Sequence, residues 1–134
     1  MTRSSFLLSA APAAALPGAA AAQSNRVFEL RTYYTLPGRL PNLLARFRDH
    51  TVKLFEKHGM TNVGYWVPAD APGSENTLIY VLAHASRDAA KRSWDAFRTD
   101  PAWLKARAES EKDGKIVDKV EAVYLNPVDF SALR

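Results

Sequence analysis

Between Val27 and Gly59 the chain changes its hydrophobic rhythm once. Val27-Phe28-Glu29-Leu30-Arg31-Thr32-Tyr33-Tyr34 is rich in β-branched and aromatic residues and is read as a strand. After Thr35-Leu36-Pro37-Gly38, residues Leu40, Leu43, Leu44, Phe47, Thr51, Leu54, Phe55 and His58 recur at spacings of three and four. That spacing draws one apolar stripe along an amphipathic helix of about five turns, with Pro41 tolerated in its first turn. His58 in the last turn and Gly59 just beyond form a usual helix stop. Such a stripe needs a sheet to cover, so the fold must be completed downstream.

The rest of the chain supplies that sheet. Met60 to Val67 reads as a second strand ended by Pro68, and Ala69 to Glu75 as a polar connector of hairpin length. Thr77 to His84 is a continuous apolar run, expected to be a central strand buried on both faces. Ser86 is the expected N-cap of a second helix with Ala89, Ala90, Ser93, Trp94 and Phe97 as its packing stripe. Asp100-Pro101 starts a further helical piece, with Trp103, Leu104 and Ala108 as candidate buried residues. Ile116 to Leu125 closes the set as a last strand. The order strand, helix, strand, strand, helix, strand predicts an α+β, ferredoxin-like βαββαβ domain, an antiparallel sheet with both helices on one face. The other sheet face is then bare, and an identical sheet is the expected cover. On the first strand the residues assigned to that face are Val27, Glu29, Arg31 and Tyr33.

The segment 1–22 stands apart from this pattern. A positive start at Arg3, an apolar run through Leu16 and Ala20-Ala21-Ala22 before Gln23 read as a secretory signal peptide, so the expected location is periplasmic or secreted. Pro12, Pro17 and Gly18 break the run short of the roughly 20 residues a membrane span needs. Removing it leaves 23–134 as one domain, small enough to gain from a partner subunit. The net charge is +4 for the whole chain, but Lys and Arg are interleaved with Asp and Glu, which argues against nucleic acid as a partner. No cysteine is present, which removes disulfides, thiolate metal sites and cysteine nucleophiles together.

Glu29-Leu30-Arg31-Thr32-Tyr33, Pro37-Gly38, His58-Gly59, Gly64-Tyr65-Trp66, Asn76 before an apolar strand, Arg87, Asp100-Pro101-Ala102-Trp103 and Leu125-Asn126-Pro127 fall in order along nearly the whole domain. As a set they resemble the NIPSNAP family. The resemblance implies a dimeric α/β barrel in which two ferredoxin-like subunits pack sheet to sheet. Stress-responsive barrel proteins, haem-degrading monooxygenases and cofactor-free oxygenases share that architecture, so the fold alone does not choose an activity.

Candidate chemistry is sparse. His50, His58 and His84 do not pair at helical spacing, and no HExxH motif or carboxylate cluster is present, so no protein-only metal site is expected. Glycine patterns for nucleotides and GxSxG are missing as well. His58 reads as a helix C-terminal residue. His50 is the one candidate catalytic residue, with two readings open: a core histidine bordering the stripe, or a residue facing a ligand between helix and sheet. The related barrels add a haem axial role for it, and no cofactor is otherwise expected. Tyr33, His50, Trp66, Tyr80 and Trp94 are the candidate ligand-binding residues. Glu29 and Arg31 are read as an ion pair reaching Lys119 or Glu121 across strands at the subunit interface. The functional expectation is an exported homodimer that binds a small apolar or aromatic ligand or serves as an interaction module, with a cofactor-free or haem-dependent monooxygenase as the alternative.

Overall fold

The computed structural model describes residues 26–134, so the leader expected over residues 1–22 lies outside the described residues. Four strands form one antiparallel sheet in the order β2-β3-β1-β4: β1 Val27–Thr35, β2 Thr61–Trp66, β3 Thr77–His84 and β4 Val117–Leu125. With the helices on one face, this is the ferredoxin-like α+β arrangement expected from the sequence.

The first helix is not regular. It runs as α1 (Leu40–Arg46), a π turn (Phe47–Thr51) and α2 (Val52–Lys57). Buried Leu43, Phe47, Thr51 and Phe55 are each four residues apart, a spacing that drifts around a regular α-helix by about 40° per step. The wider π turn, closed by Val52 N–H on the Phe47 carbonyl, offsets that drift and keeps all four against the sheet. Thr51 takes the inner position, and His50 is left exposed.

A one-turn helix α3 (Gly73–Asn76) interrupts the connector before β3. The second covering helix divides, as expected, into α4 (Arg87–Thr99) and α5 (Pro101–Ser110). Ser86 Oγ caps α4 by accepting from Ala89 N–H at 3.0 Å, and Asp100 caps α5 through Ala102 N–H at 2.8 Å. Asp100 Oδ2 also accepts from Lys57 Nζ at 2.8 Å and lies 2.7 Å from His58 Nε2. These bonds, Lys57 first, then His58 and Ala102, hold the Asp100 carboxyl well below the usual carboxylate range. They also tie the end of α2 to the α4–α5 break. Gly59 follows with φ +84°, a left-handed stop that suits glycine.

The core lies between sheet and helices, built on Leu43, Phe47, Phe55, Leu78, Tyr80, Leu82, Trp94, Phe97 and Ile116. In α5 the buried residue is Ala106; Leu104 is half exposed and Ala108 exposed, correcting the expected stripe. The break at Asp100 rotates α5 so that only one flank meets the core. The open sheet face carries Leu30, Thr32, Ile79, Val81, Val123 and Leu125, with Val123 at 49% and Leu125 at 41% exposure. Trp66 lies on the same face, 54% exposed, its ring flat over Gly64: a Cβ there would come within 2.5 Å of the indole. The C-terminal segment after β4 folds back at one end of this face, where it covers Phe28.

Candidate functional site

The two faces of β1 are opposite to the sequence expectation. Glu29, Arg31 and Tyr33 share a face with Leu82, Tyr80 and Leu78 of β3 and point toward the helices, while Phe28, Leu30, Thr32 and Tyr34 face outward. Glu29 and Arg31 are therefore interior residues, not residues of the open face. The expected cross-strand pairing is replaced too: across from Glu29 and Arg31 on β4 stand Tyr124 and Ala122, and Lys119 pairs with Glu121 instead. The pair is stable inside because α4 and β3 supply its other partners.

Glu29 is 1% exposed, and both its oxygens are occupied. Oε1 accepts from Trp94 Nε1 and lies 2.8 Å from His84 Nε2; Oε2 accepts from Arg31 Nη1 at 2.9 Å. Burial alone would raise the Glu29 pKa, but the bonds from His84, Trp94 and Arg31 together outweigh it and leave it lowered. The Arg31 guanidinium lies 4.3 Å from the Trp94 ring centre and donates Nε–H to Tyr80 Oη at 2.9 Å. Tyr80 is fully buried, its pKa raised by burial first, and its own hydroxyl hydrogen donates to Tyr33 Oη at 3.1 Å. Tyr33 Oη also receives Arg31 Nη2 at 3.4 Å. One buried chain thus runs from His84 through Glu29, Arg31 and Tyr80 to Tyr33.

Tyr33 is where this chain meets solvent. Its ring borders a cleft of about 320 Å³ at the edge of the helix layer, lined chiefly by Tyr33, Arg46, Trp103, Arg107, Glu111 and Val120. β4 extends past the helices, so Val120, opposite Tyr33, is 42% exposed on the side the helices cover elsewhere. The Tyr33 oxygen already accepts from two donors, so its own hydroxyl hydrogen is left for a further acceptor. Trp103 packs against Phe97 at 4.7 Å and holds the Arg46 guanidinium 5.2 Å above its ring.

Of the expected ligand-binding residues, the structure brings Tyr33 to the cleft and Tyr80 and Trp94 into the network behind it. Trp66 is on the other sheet face. His50 lies outside the core in a second cleft of about 260 Å³, which shares Arg46 with the first and is lined also by Asn42, Asp49, Glu109 and Asp113. It is exposed and not a core histidine. Arg46 and Glu111 were not singled out from sequence, and Trp103, expected as a buried residue, also borders the cleft that Tyr33 reaches. Among the described residues no group of three or more His, Asp or Glu side chains could hold a metal ion, and no helix is long and apolar enough to cross a membrane.

The model of the NIPSNAP family matches residues 28–132. The chain belongs to the NIPSNAP family. Solved structures similar to this NIPSNAP chain include a NIPSNAP family protein with unknown function from Agrobacterium tumefaciens: 24% identity, 83% of this chain and 96% of that one covered, TM-score 0.70. A NIPSNAP-like domain protein from Burkholderia xenovorans shares 15% identity over 81% and 90% of the two chains, TM-score 0.69. SnoaB, a cofactor-independent oxygenase from Streptomyces nogalater, is 12% identical over 81% and 98%, TM-score 0.54, a likeness of fold alone. Among curated proteins none matches.

Proposed function

We propose that this NIPSNAP protein holds a small apolar or aromatic molecule in the cleft floored by Tyr33, as an exported homodimer. The carrying observation is the lining of that cleft: Tyr33, whose hydroxyl is held from behind by Tyr80 and Arg31, borders it together with Trp103 and Arg46. A few convergent polar groups in a cleft of this size are what a small-molecule site requires. The leader-like segment 1–22 supports export, and the exposed apolar residues of the open sheet face support pairing with a second copy, which buries the same surface on both subunits.

Val120→Trp tests the reading without touching the core, because it fills the cleft from an exposed edge-strand position. In native mass spectrometry of protein isolated from its producing cells, the wild type is expected as a dimer with an added small-molecule mass, and the variant as a dimer with that mass reduced at least tenfold. An adduct that survives Val120→Trp would place the ligand elsewhere.

The buried chain behind Tyr33 favours one second reading, a cofactor-free oxygenase in which Tyr33 exchanges a proton with bound substrate while the network holds its hydroxyl in place. Oxygen uptake that Tyr33→Phe abolishes would support this reading. Binding without any oxygen uptake would remove it.

A further inference from the structure

The cleft is more selective than its aromatic walls suggest. Arg46 is only 5% exposed, yet its Nε has no hydrogen-bond acceptor, and its polar contacts through Nη1 are long. Nη1 reaches Ser110 Oγ at 3.3 Å and Glu111 Oε2 only at 3.6 Å. Glu111 Oε1 is 3.6 Å from Arg107 Nε. Both distances exceed the reach of a good hydrogen bond, so one carboxylate, 24% exposed, is loosely shared between two guanidiniums. The rim adds Lys115, Asp118 and Lys119, giving four cations against two carboxylates in the lining. Lys119 is engaged by Glu121 at 3.3 Å. Tyr33 borders the same cleft. The site therefore offers donors and positive charge beside the Trp103 ring, and its acceptor Glu111 is the group held least firmly.

We propose that the occupant of this cleft is an aromatic carboxylate, its ring between Trp103 and Val120 and its carboxylate facing Arg46, Arg107 and the Tyr33 hydroxyl, where Glu111 now stands in for it. This rests on the reading that the cleft binds a small aromatic molecule, and adds the charge of the ligand. A bound carboxylate completes the bonds that Glu111 leaves long, and Glu111 swings outward to solvent. Hydrogen bonds between charged partners are the strong ones, so the acid is favoured over a neutral molecule of the same shape by at least about tenfold.

Calorimetric titration with 2-naphthoate and its neutral counterpart 2-naphthalenemethanol tests this on the wild-type protein. The acid is expected to bind at least tenfold more tightly than the alcohol. Glu111→Gln, which removes the competing carboxylate from a partly exposed position, is expected to tighten the acid several-fold and so to widen its preference over the alcohol. Arg46→Gln is expected to lose the preference for the acid. Should Arg46→Gln fail to fold, the acid–alcohol comparison and Glu111→Gln still decide. Equal affinity for acid and alcohol overturns the carboxylate and leaves the aromatic cleft standing; no binding of either overturns the cleft itself. A preference for the acid that Glu111→Gln does not increase overturns the stand-in role of Glu111.

Discussion

Glu29→Ala is expected to cost about 3–5 kcal/mol of folding stability, measured by urea unfolding. The substitution leaves the Arg31 cation in the interior without its counter-charge, and it removes the acceptor of Trp94 Nε1 and the partner of His84 Nε2. Breaking a buried pair from one side is costly because the remaining charge keeps its desolvation penalty. Glu29→Gln separates charge from shape. Since the Glu29 pKa is lowered in the fold from 4.5, the carboxylate contributes stability that is fully present above the ordinary carboxylate range and lost as pH falls through and below it. The gap between wild type and Glu29→Gln is therefore wide at pH 7 and narrows below about pH 4. A gap independent of pH would mean that the lost charge is not the cause.

Phe55→Ala is expected to cost a similar amount, about 3–5 kcal/mol, by loss of packing alone and with no such pH dependence. Phe55 is 1% exposed, and its ring meets those of Phe97 at 5.0 Å, Trp94 at 5.4 Å, Tyr80 at 5.9 Å and Phe47 at 6.1 Å. It joins the first helix both to α4 and to the sheet, so the surroundings cannot close over the cavity without moving two layers. A loss below about 1 kcal/mol by urea unfolding would show that the aromatic cluster repacks freely.

How far the sequence could be read follows from the kind of signal each element carries. The elements and their order are legible because local chemistry marks them: the Ser86 and Asp100 caps, Pro101 at a first helical position and the Gly59 stop all stand where they are expected. The inward face of β1 is not legible. Alternation with a period of two separates two faces but does not say which is buried, and here the charged set goes inside because Trp94 and His84, 65 and 55 residues away, complete its bonds. His50 is misplaced for a related reason: it borders the stripe in a regular helix, and the wider π turn over Phe47–Thr51 puts Thr51 against the core and leaves His50 outside. The cleft itself is assembled from the ends of α1 and α5 and the start of β4, so Arg46 and Glu111, on elements far apart in the chain, have no common motif to announce them. Tyr33 and Trp103 are both marked in the sequence and present at the site, Trp103 as a packing residue and Tyr33 as a candidate ligand contact.

The tryptophans allow the most direct test of a ligand in this cleft, because each reports on a different region: Trp103 on the cleft, Trp66 on the open sheet face and Trp94 on the buried network. The measurement is the two-dimensional NMR spectrum of the three indole N–H groups during titration with a set of small aromatic acids and neutral aromatics. Saturable shifts of the Trp103 signal are expected, with Trp66 left in place. Shifts confined to Trp66, with Trp103 unmoved by every compound, would contradict a ligand in the cleft and make the sheet face the binding surface.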